Sequence, residues 1–335
     1  MPIFARTFAV DFLAEWDANN SSNAVRALFN HWCLPGEKAV GEAMLRLGLR
    51  NGYLNLYIKG QSVAKLSAGK NGPSLSVHKA YVTGRRRKIK GNSVPPVQCY
   101  QVYDAKELAD PATGSLIANW IKTAESHASA EKRFVDDLIA ANPGVIDLEM
   151  GLPADDLSGG EQAAPRMDLV VAQRAGSEPL SIAFWEAKCA NNAELRARGD
   201  TEPGVMNQIG KYVRWLSKGA RVAEVQQAYR TTAVTLLALN RLFRGDSRST
   251  PECILIWQAL AELEAPSVVV RPGIVIGNYC PEGYTESDAI GSIAQSATSF
   301  ARNGHLMKLD RSGIRVHEVG PGHNGPTLPF LRPVS

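Results

Sequence analysis

The chain is poor in the residues that staple or anchor other protein classes. Its five cysteines, at 33, 99, 189, 253 and 280, are odd in number and include no Cys-x-x-Cys pair, which excludes a paired disulfide framework and a cysteine-rich zinc site. They read as reduced thiols, and Cys189 as a small buried hydrophobe. None of the six histidines falls in a metal-ligand spacing, and no Gly-rich loop ending in Gly-Lys-Ser/Thr is present to cradle a nucleotide triphosphate, so nothing points to ATP dependence. No apolar run reaches the length a bilayer span needs, and the first residues lack the basic, apolar, small-residue order of a signal peptide. The expectation is a cytoplasmic protein with no membrane contact.

The most informative absence is of acid. From Ala43 to Tyr103 the sequence has no Asp or Glu but eleven Lys or Arg residues, whereas the whole chain carries a formal net charge of only +4. A basic module is therefore hidden by an acidic remainder, and such a module attracts a polyphosphate through its field and through counterion release. Arg85, Arg86, Arg87, Lys88 and Lys90, flanked by Gly84 and Gly91, form its densest cluster and are the expected nucleic-acid contacts. Tyr53, Tyr57 and Tyr81 are expected to pack in or on the sheet rather than to serve as base-stacking platforms.

With 335 residues and 44% hydrophobic content the chain can build one large or two modest domains. Residues 9–16 and 24–32 have helical spacing, and Pro35-Gly36-Glu37 predicts a third helix running to Leu47. Short β-branched or aromatic runs at 53–58, 62–66, 74–82 and 97–103, separated by Lys-Gly, Asn-Gly-Pro and Gly-Asn, predict a small antiparallel sheet. Asp110-Pro111 marks the expected boundary, giving a basic α+β module at 1–110 and a second domain at 111–319. Within the second domain, 115–141 and 222–243 predict helices, 145–150, 267–270 and 273–277 strands, 287–301 a helix, and 306–319 a hairpin. Residues 320–335 are too rich in Gly and Pro for regular structure and read as an arm or a disordered end.

Chemistry concentrates in one stretch, Leu180 to Lys188, an apolar run closing on Glu186-Ala187-Lys188. In a strand Glu186 and Lys188 share a face while Ala187 points away. Upstream, Arg166 to Ala172 is a second β-branched run, and Arg174 to Pro179 between the two predicts a hairpin that brings Asp168 near Glu186 and Lys188. Two carboxylates with room for water suit Mg²⁺, a hard cation that keeps part of its hydration shell. A lysine beside them can orient a metal-bound water or stabilise charge on a phosphate. The same residues also describe a plain hairpin ended by a salt bridge.

The order of these features resembles the PD-(D/E)xK nuclease superfamily, which includes many restriction endonucleases and RecB-like exonucleases. Asp168 and Glu186-Ala187-Lys188 match its motif, although Met167 stands where the family name has proline. Glu131 occupies the place of the acidic residue on the preceding helix, and Gln208 and Tyr212 match the Gln-x-x-x-Tyr of the following one. The resemblance implies an α/β fold, with a restriction-endonuclease-like mixed β-sheet core flanked by helices and preceded here by the basic α+β module. It implies Mg²⁺-dependent hydrolysis of DNA phosphodiesters, with Mn²⁺ substituting, by a restriction-like or defence-type endonuclease acting as a homodimer. Asp168, Glu186 and the Ala187 carbonyl would hold metal, Lys188 would position water, and Glu131 would hold a second metal or its water. Gln208 and Tyr212 would shape the site and meet the phosphate. The alternatives are a RecB-like exonuclease, a nuclease for single-stranded DNA or RNA, and a non-catalytic DNA-binding protein on a nuclease scaffold. The copy Asp104-Ala105-Lys106 is preceded by no Asp or Glu from Ala43 to Tyr103, so it has no upstream metal ligand and is rejected as a site.

Overall fold

A computed structural model describes residues 4–42, 44–83, 99–153, 166–197, 201–245, 250–278, 305–320 and 325–332. Arg85, Arg86, Arg87, Lys88 and Lys90, the polar stretch 155–164 and the helix expected at 287–301 lie outside the described residues.

Two helices open the chain, α1 (Val10–Ala18) and α2 (Ala24–Asn30), the latter capped by the Asn23 side chain, which accepts from the Arg26 amide. Five antiparallel strands follow in sequential order, β1 (Arg46–Leu49), β2 (Tyr53–Ile58), β3 (Gln61–Gly69), β4 (Gly72–His78) and β5 (Tyr100–Tyr103). Lys59 and Gly60 both take positive φ, +45° and +68°, the conformation that a two-residue hairpin turn requires between β2 and β3. The expected helix from Pro35 to Leu47 does not form. Gly36 adopts φ +83° and breaks it, and Arg46 and Leu47 instead join β1, where the Arg46 guanidinium reaches Asp136 at 2.9 Å. The strand expected to run to Val82 ends at His78, after which α3 (Lys79–Thr83) begins. Asp104, the rejected copy of the motif, is a helix cap: it forms a reciprocal capping box with Glu107 at the start of α4 (Ala105–Ala109).

After α5 (Pro111–Gly114), the single helix expected at 115–141 is two, α6 (Ile117–Glu125) and α7 (Ala130–Ala141). Ser129 separates them, its side chain capping the Lys132 amide. A meander of β6 (Val145–Gly151), β7 (Arg166–Gln173) and β8 (Ser181–Cys189) comes next, with the expected hairpin between β7 and β8. Helices α8 (Val205–Leu216), α9 (Arg221–Phe243) and α10 (Glu252–Glu262) precede β9 (Ser267–Val268) and β10 (Gly273–Gly277), both parallel to β8. The expected hairpin at 306–319 is corrected: its first half is α11 (His305–Arg311), with alternation too short to favour a strand, and its second is β11 (Val316–Glu318), parallel to β10. The second sheet is thus mixed, ordered β11-β10-β8-β7-β6 with β9 also on β8.

Every residue of β8 is buried, which explains why its sequence is apolar on both faces. Phe134, Leu138 and Ile139 of α7 cover one face with Leu169, Ala183 and Trp185, while Tyr212, Trp215 and Tyr229 pack with Val170, Ile182 and Phe184 on the other. Gly273 permits the close approach of β10 to β8, since a Cβ there would fall 2.6 Å from the Trp185 ring.

The larger core cluster does not stop at Asp110. It runs from Phe4 through both sheets to Ile314. A buried charge network joins the sheets at Asp147 of β6, which accepts from Arg50 Nη1 at 2.6 Å, Arg6 Nη2 at 3.3 Å and the Tyr229 hydroxyl at 3.1 Å. Arg50 also donates to the carbonyls of Leu49 and Leu148 and to the Tyr57 hydroxyl, so its charge is fully partnered. The tail residues 325–332 carry no helix or strand but are docked: the Asn142 side chain donates to Pro326 O and accepts from the Leu328 amide, and Gln173 does the same for Leu331. Among the described residues no helix is long and apolar enough to cross a membrane.

Candidate active site

The hairpin registers Leu169 opposite Trp185, so Asp168 and Glu186 fall on the next pair of positions. The Asp168 carboxylate accepts from the Ala187 amide at 2.7 Å and is held against β8. Glu186 Oε1 and Lys188 Nζ are 2.6 Å apart, as expected for same-face neighbours two residues apart on a strand. The turn after β8 adds a residue that the sequence reading missed: Glu194 Oε2 lies 3.2 Å from Lys188 Nζ, and the Asn192 side chain caps the Glu194 amide. The Asx-type capping pattern Asn192-Ala193-Glu194 was the available signal.

Glu131, on α7, joins this cluster through other side chains rather than beside Asp168. Its Oε2 accepts from Asn192 Nδ2 at 2.8 Å and its Oε1 is 4.0 Å from Lys188 Nζ. Glu149 of β6 was also missed. It sits between the pairs Leu148/Leu169 and Met150/Met167, hence across from Asp168, at the unusual φ of +52°.

The helix motif takes a different position from the one expected. Tyr212 is fully buried and its hydroxyl donates to the Met150 carbonyl at 2.8 Å, while Gln208 Nε2 donates to the Arg166 carbonyl at 2.8 Å. Both tie α8 to the ends of β6 and β7 and so position the strands that carry the acids; buried Tyr212 does not line a substrate surface, whereas Gln208 is only half-buried.

Crowding acids in a dry place shifts their protonation. Burial pushes the Glu186 carboxyl up to about 7, against the pull of Lys188, with Glu131 and Glu194 adding to the rise. Burial and the neighbouring Glu186 charge hold Asp168 well above the ordinary aspartate range, opposed by Lys188 and the Ala187 amide. Burial alone would depress Lys188, but Glu186 and Asp168 outweigh it and keep the ammonium above the usual lysine range. Cys189 is buried as expected, and desolvation raises its thiol to about 11.

Among the described residues six buried side-chain polar atoms lack a hydrogen bond, and one of them is a carboxylate oxygen. Glu186 Oε2 is buried without a hydrogen bond, an expensive condition for a carboxylate oxygen unless a cation meets it. Among the described residues no three His, Cys, Asp or Glu side chains form a ready-made metal cage. Two carboxylates and one main-chain carbonyl, completed by water, nonetheless fit a Mg²⁺-type donor set. Comparison of the chain with protein-family models, with curated proteins and with solved structures finds no match.

Proposed function

We propose that the protein is a Mg²⁺-dependent nuclease of the PD-(D/E)xK type, restriction-like or defence-type in role, which hydrolyses phosphodiester bonds of DNA and acts as a homodimer. The observation that carries the reading is the meeting of Asp168, Glu186 and Lys188 at the ends of β7 and β8 with one Glu186 oxygen buried and unpartnered. A three-stranded antiparallel meander with a parallel strand beyond it, flanked by α7 and α8, also suits the restriction-endonuclease-like core that the resemblance implies.

In this reading Asp168, Glu186 and the Ala187 carbonyl hold Mg²⁺. When bound, the ion polarises a phosphate oxygen and makes water more acidic. Lys188, fixed between Glu186 and Glu194, orients the attacking water and meets negative charge developing on the phosphate. Glu131, itself held by Asn192, lies on the far side of that ammonium, and Gln208 and Tyr212 fix the strand ends beneath it.

Incubation of the purified chain with supercoiled plasmid in Mg²⁺, Mn²⁺ or EDTA, beside Glu186→Ala, tests the proposal. Metal-dependent nicking or linearisation that the variant lacks is the expected result. Retention of DNA in a gel shift with no cleavage of duplex, single-stranded or RNA substrates would replace the nuclease with a binding protein.

A further inference from the structure

The first sheet has two unlike faces. Leu54, Leu56, Leu66, Leu75 and Val77 lie buried on one side, in the core that α1, α4 and α6 share. The pairings Asn55/Lys65 and Lys65/Ser76 put Lys65, Tyr53 and Tyr100 on the opposite side, which is only half-buried. A cleft of about 520 Å³ opens between this polar face and the ends of β6 and β7.

Its charge is one-sided. Arg6 and Arg50 line it but are committed to Asp147. Lys65, Lys132 and Arg166 also line it, against Glu149 as the acid of the lining. Lys65 Nζ sits 5.7 Å from the Tyr53 ring centroid and 5.1 Å from that of Tyr100, with no carboxylate in ion-pair reach among the described residues. Burial, and then the Arg166 charge, make its protonated form harder to keep. Lys132 Nζ bonds a neutral partner, Gln61 Oε1, at 3.1 Å. Arg166 is 3.7 Å from Glu149 but largely exposed. Among the described residues three cations thus converge on a space whose lining holds one acid, Glu149.

The cleft adjoins the site. Arg166 and Asp168 are two residues apart on β7 and project from the same face, and Glu149 stands across from Asp168 while lining the cleft. A strand leaving the acids would pass Arg166 next and then the tyrosine-flanked Lys65.

We propose that this cleft holds a single, unpaired nucleic-acid strand, with phosphate between Lys65, Lys132 and Arg166 and a base against Tyr100 or Tyr53, and delivers it to Asp168. The space takes unpaired nucleotides and is too small for a duplex. Cationic grooves with aromatic rings are how proteins hold unpaired strands without reading sequence. Only the direction of delivery rests on the nuclease reading.

Binding measured without cleavage separates the two proposals. Fluorescence anisotropy of the full chain in EDTA, with labelled oligothymidylate or a blunt duplex of equal length, should show preference for the single strand. Lys65→Gln should weaken it roughly tenfold and flatten the slope of log K against log[salt] by about 0.7, the loss of one phosphate contact on a single strand. Tyr100→Ala should weaken it roughly tenfold with an unchanged slope. Lys132→Gln repeats the charge test if Lys65→Gln lowers the melting temperature. Duplex preference, no single-strand binding by the wild type, or folded variants with wild-type affinity and slope would each overturn the cleft. Cleavage by variants of undiminished affinity would leave the nuclease standing without it, and strand binding without cleavage would do the reverse.

Discussion

The Asp168 carboxylate takes its hydrogen bond from the Ala187 amide, the one residue between Glu186 and Lys188, at 2.7 Å. The first acid of the site is therefore registered by the backbone that carries the other two groups. Asp168→Asn keeps an oxygen for that amide and should retain the fold, whereas Asp168→Ala loses about 1 kcal/mol with the bond. Both should abolish plasmid cleavage, and an active Asp168→Asn would refute the role assigned to its charge.

Lys188→Ala should lower the cleavage rate by roughly 10² to 10⁴-fold, the range for a group that positions or transfers a proton at the reacting centre. Removing the ammonium also leaves Glu186 buried beside acids. A circular dichroism melt should show the variant stabilised by acid relative to the wild type, and an unshifted profile would mean that Glu186 does not depend on Lys188.

In EDTA, Glu186 is raised to about 7 from an ordinary 4.5. The folded state then binds more protons than the unfolded state between those values, so stability falls as pH rises from about 4.5 to about 7, by up to about 3 kcal/mol. Lys188 stays charged in both states across this window and contributes no slope, while Asp168, also held above its ordinary range, adds a fall of the same sign. Denaturant titrations at pH 5 and pH 7.5 on wild type and Glu186→Gln read this directly, and equal pH slopes in the two proteins would contradict it.

Tyr212→Phe removes only the bond to the Met150 carbonyl. Stability should drop by about 1 kcal/mol, up to 3 if the carbonyl stays dry, with cleavage kept within a few-fold. A large loss of activity at unchanged stability would instead give the hydroxyl a place at the substrate.

At Asp147 the same logic predicts a large effect. Asp147→Asn leaves Arg6 and Arg50 buried without their anion and should cost about 3–5 kcal/mol. Urea denaturation followed by tryptophan fluorescence measures it, and a loss under 1 kcal/mol would show the pair to be dispensable.

Local patterns were legible in the sequence where one signal dominated. The hairpin from Arg166 to Cys189 and the convergence of Asp168, Glu186 and Lys188 follow from alternation and turn residues. Glu131 reached the cluster, but by way of Asn192 and Lys188, a detour that depends on the path of the turn after β8. Tyr212 was misplaced because i, i+4 spacing fixes a shared helix face and says nothing about whether that face meets solvent or sheet. Residues 35–47 failed for a related reason: their helical spacing competed with Gly36 and with a buried partner for Arg46 ninety residues away. Glu149 and Glu194 offered only single charged letters, which acquire meaning once strands β6, β7 and β8 lie side by side. Helix α10 buries Cys253, Ile254, Trp257 and Leu260 on one face, but its exposed face carries Leu255 as well, and an apolar residue on the wet side blurs the helical period in the sequence.

The network at Asp147 has a consequence for how such a chain can be altered. A basic module tethered by a linker could be exchanged for another, as beads are on a string. Here the segment that carries the positive charge also supplies Arg6 and Arg50 to a carboxylate of the second sheet, and its leucines to the same core. A graft that replaced residues 1–110 would strand Asp147 in a dry interior and open one wall of the cleft beside Arg166. Point changes on the polar face of the first sheet are different in kind: Tyr53, Lys65 and Tyr100 can vary without disturbing what holds the two sheets together.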